Sequence, residues 1–242
     1  MSLEIDVQNC INGVIYLKTL SFTLNNKNID FDFDKVFVIG YAGRDIDKTQ
    51  EHIDELEREL GVAPPKKIPT IFEVSEEIVT QDPKLKFVGK KTSGEAEYVI
   101  LLKNGKKYIT IGSDHTDREL ESVSIFKSKQ VCLKPIADII WDYDEIKNHW
   151  DSIRLISNQI IDGKEIKYQN DTLSSILPVE KILKELKERV GDIENSIIYS
   201  GTVPLIGDFE YGDKFLSRIV DEELGRSINL NYEVNVILEE ER

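Results

Sequence analysis

Cysteine is almost missing from this chain: Cys10 and Cys132 are the two present in 242 residues, and they form no C-x-x-C pair. Two such residues cannot build a disulfide framework, so both read as buried thiols of a reducing compartment. Long hydrophobic runs are missing too. No stretch approaches the ~18 consecutive apolar residues of a transmembrane helix, and the N-terminus lacks the basic and apolar regions of a signal peptide. The expectation is a soluble, cytoplasmic protein. Positive charge is in deficit, with 31 Lys and Arg against 45 Asp and Glu and a net charge of −14. Long-range electrostatics of that sign repel nucleic acid and anionic membrane, so neither is expected as a partner. No internal repeat divides the chain, and its length buries a substantial core as a single domain spanning 1–242.

What is present reads first as β-structure. Residues 1–39 form a β-like N-terminal segment. In it Val14 to Leu17, Leu20 to Leu24 and the alternating Ile29-Asp30-Phe31-Asp32-Phe33-Asp34 lead into Val36-Phe37-Val38-Ile39. That last run is apolar on both faces, which predicts a buried strand. A turn with two glycines, Gly40 to Asp45, then precedes a change of period. Ile53, Leu56 and Leu60 recur at i, i+3 and i+7, predicting a helix from Asp47 to Leu60 with Asp47 or Thr49 as N-cap and Gly61 as terminator. His52 and Glu55 are neighbours on it. Their spacing fits a half-buried imidazole with a carboxylate partner, or a surface histidine of a charged helix.

Pro64-Pro65 and Pro69 predict an irregular tether over the surface through Ile68 to Val74. Val131 to Ile140 is apolar around Pro135, and Trp141 to Trp150 is weakly helical, with His149 read as structural. Arg154 to Ile161 and Lys164 to Gln169 flank Asp162-Gly163, a hairpin signal. Pro178 opens an amphipathic helix with Val179, Ile182, Leu183, Leu186 and Val190 on one face before Gly191. A final strand is expected from Ile228 to Leu238.

The chemistry concentrates between Ser93 and Lys129. Val99 to Leu102 and Tyr108 to Ile111 are β-prone runs around Asn104-Gly105, which predicts a hairpin. Glu95 and Glu97 then share one face, an i, i+2 pair of acids that repel unless a cation or solvent intervenes. The return strand ends at Gly112-Ser113-Asp114 and could bring back a third carboxylate. Such an all-oxygen cluster suits Mg²⁺, Mn²⁺ or Ca²⁺, whereas the plainer reading of E-x-E is a solvated strand edge. In Phe126-Lys127-Ser128-Lys129-Gln130-Val131, strand alternation would put Lys127 and Lys129 on one face.

In this order the motifs resemble the fumarylacetoacetate hydrolase superfamily, closest to a bacterial branch of unassigned function. The likeness runs from about Gly40 to Asp213. His52-Ile53-Asp54-Glu55 resembles the family's H-x-x-E element, Glu95-Ala96-Glu97 its E-x-E pair, and Ser113-Asp114-His115-Thr116-Asp117-Arg118-Glu119 its N-D-x-x-x-R-D segment. Ser128-Lys129 before Pro135 is similar to the G-K-S segment, and Ser200-Gly201-Thr202 before Gly212-Asp213 to the T-G-T loop. Departures are Ser113 in place of Asn, Val203 between Thr202 and Pro204, and a short connection between Glu97 and Asp114.

The resemblance implies an α+β fold, β-rich with mixed sheets of the fumarylacetoacetate hydrolase C-terminal-domain type and a few flanking helices. It implies metal ligands Glu95, Glu97 and Asp114, with Asp45 as a further carboxylate, and Mg²⁺ or Mn²⁺ as cofactor with Ca²⁺ as an alternative. His52 would be the general base, oriented by Glu55, with His115 its competitor. Lys129 would neutralise oxyanion charge, and Arg118 and Thr202 would bind substrate. The implied activity is acylpyruvase-like: hydrolysis of a C–C bond in a small 2,4-dioxo acid by a homodimer. Decarboxylases, isomerases and dehydratases acting on 2-oxo acids share the enolate step, and a noncatalytic protein binding a metal or oxo acid is the reading from another class.

Overall fold

The computed structural model describes residues 17–60 and 64–240, and for residues 52, 55, 56, 59 and 60 it describes the backbone. The chain begins β1 (Lys18–Leu24), β2 (Lys27–Phe33), β3 (Lys35–Gly40), α1 (Ile46–Leu60), β4 (Thr70–Val74), β5 (Val79–Thr80), β6 (Lys84–Val88) and β7 (Thr92–Ser93). It continues through β8 (Ala96–Lys103), β9 (Lys106–Ser113), β10 (Thr116–Asp117), α2 (Arg118–Glu121), α3 (Ile125–Val131), β11 (Lys134–Pro135), β12 (Trp141–Asp142) and α4 (Tyr143–Ile146). The last third is β13 (Arg154–Ile161), β14 (Lys164–Thr172), α5 (Val179–Arg189), β15 (Ser196–Thr202), β16 (Lys214–Asp221) and β17 (Arg226–Ile237).

Two mixed sheets dominate, a six-stranded one in the order β12-β9-β8-β15-β3-β4 and a five-stranded one in the order β14-β13-β16-β17-β6. Strands β8, β3 and β15 are buried along nearly their whole length because the central sheet is covered on both faces. On one face Tyr98, Ile100 and Ile109 pack with Leu155, Phe215 and Ile219 of the second sheet and with Ile182 and Leu186 of α5. On the other, Val36, Val99 and Ile197 pack with Phe22, Phe31 and Phe33 of the β1–β2 hairpin. Each such side chain, taken fully out of water, contributes about 1.5–3 kcal/mol.

Both expected hairpins form. Asn104 and Gly105, at φ +54° and +70°, turn β8 into β9, and Asp162 and Gly163, at +50° and +75°, turn β13 into β14. Both are two-residue turns with positive φ at both positions, the geometry that asparagine, aspartate and glycine supply. Helix α5 runs from Val179 with Pro178 at its N-cap, as the spacing predicts, although Val190 just beyond it is exposed.

Two expectations fail, and one strand has no expectation behind it. The segment expected to be a tether contains β4, which pairs antiparallel with β3 and buries Phe72 and Val74. The proline-rich approach hid it, and the open edge beside β3 supplied its partner. Strand β16 was unrecognised, although Phe215, Ser217 and Ile219 alternate inward in it. The stretch from Phe126 to Val131 is helical, not alternating: Ser124 Oγ accepts the Lys127 N–H at 3.4 Å and caps α3. Helical spacing sets Lys129 apart from Lys127, burying the former and exposing the latter. Cys10 and Gly61 lie outside the described residues; Cys132 is buried as a free thiol.

Candidate active site

The two-residue turn fixes the register of the β8–β9 hairpin, pairing Glu97 with Gly112 and Ala96 with Ser113. The ladder goes one step further, the Asp114 N–H donating to the Glu95 carbonyl at 3.0 Å. Glu95 therefore faces Asp114 across the hairpin, and Glu97 stands two residues along on the same side. One carboxylate oxygen from each of the three lies within 4.8 Å of the others. Gly94 makes the approach to this cluster: a Cβ there would meet Ser113 Oγ at 2.7 Å and the Phe215 ring at 2.9 Å. Without it Ser113 Oγ stays close enough to accept the Glu95 N–H at 3.2 Å.

Strand β15 supplies a donor from the other side. The Gly201 N–H points at Glu97 Oε2, 3.0 Å away. The residue has φ +88°, and a Cβ would stand 2.6 Å from that of Ala42 and 3.0 Å from the Ile39 carbonyl oxygen, so glycine is required twice over. Glu97 is 1% exposed. Burial pushes its carboxyl well above the usual range, and the negative charge of Asp114 adds to the shift. Glu95 is raised for the same first reason, with Arg118 and Lys129 opposing. Burial would raise Asp114 as well, but Lys129 and Lys134 outweigh it and hold that carboxyl below the ordinary range.

The cations are built in. Lys129 Nζ from α3 donates to Asp114 Oδ2. Lys134 Nζ lies 3.1 Å from Asp114 Oδ1 and donates to the His115 carbonyl at 2.6 Å. Arg118 places Nη2 3.3 Å from Glu95 Oε1 and Nη1 2.8 Å from Glu121 Oε2, while its Nε donates to Ser93 Oγ at 2.7 Å. Its guanidinium lies 4.2 Å from the centre of the Phe209 ring. Burial disfavours the charge on both Lys129 and Arg118, yet the facing carboxylates keep both firmly protonated. Burial pushes Lys134 down, with Asp114 opposing.

The donor set fits a hard divalent cation. Three carboxylates converge, all oxygen, two of them with raised proton affinity because burial and mutual repulsion disfavour their charge. Among the described residues the structure brings together Glu95, Glu97, Asp114, Lys129 and Arg118. It does not bring Asp45. That carboxylate sits at the start of α1, accepting the Lys48 N–H at 3.2 Å with its side chain 54% exposed, so the turn spends it on the helix N-terminus. It also displaces Asp47 and Thr49 as the cap. Thr202 is engaged inside the protein, its hydroxyl donating to the Ala96 carbonyl at 2.8 Å and accepting from Gln169 Nε2. One donor proton is all a threonine has, so Thr202 ties β15 to β8.

The side chains of His52 and Glu55 lie outside those described; α1 carries their backbone after the Gly40–Asp45 turn. His115 is sandwiched in the core, stacked on Phe87 at 3.7 Å with Nδ1 2.9 Å from the Tyr232 hydroxyl. Burial holds its imidazole well below the ordinary range. His149 has a partner that sequence spacing did not show, with Nε2 3.0 Å from Asp221 Oδ1. Lys134, Glu121 and the Gly201 N–H were missed. Lys134 left one signal, the one positive charge inside the mostly apolar run from Val131 to Ile140.

Known folds resemble this one over nearly its whole length. 2-keto-3-deoxy-D-arabinonate dehydratase, complexed with magnesium and 2,5-dioxopentanoate, superposes with a TM-score of 0.62 at 19% identity, covering 98% of this chain and 83% of that one. Fumarylpyruvate hydrolase from Pseudomonas aeruginosa, in complex with Mn²⁺ and pyruvate, gives 0.59 at 16% identity, covering 94% and 100%. A candidate fumarylacetoacetate isomerase/hydrolase from Oleispira antarctica gives 0.63 at 17%, covering 90% and 100%. No curated protein matches by sequence. The model of one sequence family matches residues 39–232. Built on the fold of the fumarylacetoacetate hydrolase superfamily, the chain belongs to the family described as "Protein of unknown function (DUF2848)".

Proposed function

We propose that this protein is a divalent-metal-dependent hydrolase that cleaves a C–C bond in a small 2,4-dioxo acid. The observation that carries the reading is the buried cluster of Glu95, Glu97 and Asp114 with Lys129 and Arg118 at its border. A divalent cation held by the three carboxylates would supply Lewis acidity to a 2-oxo acid chelating through carboxylate and keto oxygens. The remaining work falls to the chain. Lys129 and Arg118 give an anionic substrate a local positive field within an acidic protein, and either can neutralise charge developing on a carbonyl oxygen. His52, with Glu55 one turn along α1, takes a proton from water as the water oxygen attacks the distal carbonyl. Such help is worth about 10²- to 10⁴-fold. The C–C bond then breaks, its electron pair passing to the 2-oxo acid fragment as an enolate that is protonated on release. The products are a carboxylic acid and a 2-oxo acid. The same reading makes the enzyme a cytoplasmic homodimer of single-domain subunits.

The test is a screen of 2-oxo and 2,4-dioxo acids with Mg²⁺ or Mn²⁺, products identified by NMR, alongside the solution mass. Hydrolysis of a 2,4-dioxo acid to the two acids is expected. Dehydration of a 3-deoxy-2-oxo sugar acid without C–C cleavage would move the site to dehydratase chemistry. Absence of any turnover, together with no metal-induced rise in melting temperature, would sink the enzymatic reading.

A further inference from the structure

The outward face of the five-stranded sheet carries a second concentration of charge, of opposite sign to the protein as a whole. Pairing of β13 with β14 and β16 sets three rows across it: Lys167, Asn158 and Leu216, then Asn170, Ile156 and Arg218, then Thr172, Arg154 and Val220. Neighbours in the strands, Leu155, Ser157, Phe215 and Ile219, are buried, so alternation sends these rows to the opposite side. Arg154, Lys167 and Arg218 stand round a cavity of about 370 Å³, with Asn158 and Asn170 among its walls and Glu222 its one carboxylate.

Like charges on adjacent rows of a sheet destabilise it, and ordinarily a carboxylate is interleaved to relieve them. Here the carboxylate one row beyond Lys167, Glu165, accepts from Asn158 Nδ2, and none of the three cations forms an ion pair among the described residues. Arg154 meets the side-chain oxygen of Asn170 and leaves its Nε buried without a partner. Lys167 and Arg218 are exposed, and their side chains have no partner among the described residues. In a chain of net charge −14, such cations around one concavity are a poor arrangement for the protein alone and a good one for an anion.

We propose that this cavity is a binding site for a small polyanion, a molecule bearing phosphate or several carboxylates. Arginine presents a planar fork matched to either group, lysine adds a point charge, and Asn170 adds an uncharged donor, the Asn158 amide already donating to Glu165 Oε1. Ile156 and Val220 supply apolar wall, and the volume accommodates a phosphorylated sugar or a tricarboxylate. Gln169 also lines the cavity, and its side chain holds the Ala96 N–H and the Val203 carbonyl, so the site shares a residue with the frame of the carboxylate cluster.

The experiment is thermal shift and calorimetry on the full chain in metal-free buffer, with inorganic phosphate and citrate titrated at fixed ionic strength against chloride. A saturable rise in melting temperature is expected with one or both, and Arg218→Gln/Lys167→Gln should weaken it about tenfold or more, as losing a charge-assisted hydrogen bond implies. Both replaced side chains are exposed, and circular dichroism checks that the variant folds. Lys129→Met should keep the effect. An effect that chloride reproduces, or that Lys129→Met abolishes while the double variant retains it, would overturn the proposal. So would a wild type blind to both anions whose solution mass falls in the double variant, which would assign the face to contact between copies.

Discussion

Lys129→Met separates the roles of the buried amine. In the metal-free protein Lys129 is one of two cations that keep Asp114 charged in a buried place, the other being Lys134. Breaking a buried pair costs about 3–5 kcal/mol when the partner is left uncompensated. Lys134 remains here, so about 2–3 kcal/mol is expected, a fall in Tm of about 4–12 °C for a chain this long. Metal binding should move the other way. A unit charge about 5 Å from a divalent ion costs about 1.7 kcal/mol even at a water-like dielectric of about 80, and more inside a protein. Removing it, and freeing Asp114 Oδ2, should tighten Mn²⁺ binding about tenfold or more. Turnover should nevertheless drop at least about tenfold in kcat/KM, because the substrate loses its cation. Lys127→Met, on the exposed side of α3, should change none of the three. Calorimetry with Mn²⁺, a melting curve and steady-state kinetics read them separately. Unchanged or weaker Mn²⁺ binding in Lys129→Met would refute the competition between amine and metal.

Glu97→Gln should abolish the metal-induced rise in Tm while leaving the fold intact. Because burial raises the folded pKa of Glu97 above its ordinary 4.5, the folded state binds its proton more tightly, and stability is lost as pH rises from there. Metal-free wild type should therefore lose ground to Glu97→Gln by up to about 1.4 kcal/mol per pH unit until the folded pKa is passed, and a flat difference would refute this. His52→Ala should lose turnover and keep the metal-induced shift, whereas His115→Ala should lower stability through its lost stacking on Phe87; the reverse pattern in kinetics would transfer the base to His115. Gly201→Ala should cost about 1–3 kcal/mol from the positive φ alone and weaken metal binding by disturbing Glu97, which a melting curve with and without Mn²⁺ would show.

The part of the site legible in the sequence is the part built by local geometry. Asn104-Gly105 fixes a two-residue turn, the turn fixes the register, and alternation then places Glu95, Glu97 and Asp114 together. Lys129 was found by resemblance and mistaken in conformation, since six residues with two lysines satisfy either period and Ser124 decides between them. Lys134 and the Gly201 N–H reach the cluster from β11 and β15, and no local pattern encodes such a meeting. Asp45 was mistaken because a carboxylate ahead of a helix serves a ligand sphere and an N-cap equally well in sequence. β4 stayed hidden because its strand character comes from the edge it completes.

The hairpin has a consequence for the order in which the protein assembles. Its three carboxylates lie within twenty residues, from Glu95 to Asp114, around a turn that closes in about 1–10 μs as an isolated hairpin. The compensating amines arrive later along the chain, and Gly201 later still, by contacts that wait on loop closure. Negative charge therefore gathers before its counterweight, and the early hairpin carries in full a repulsion that the finished molecule offsets in part with Lys129, Lys134 and Arg118. A divalent ion present at that moment stands in for lysines not yet docked. Stopped-flow refolding with and without Mn²⁺ reads this directly: the ion should accelerate the folding limb, beyond any slowing of unfolding, if the hairpin belongs to the nucleus.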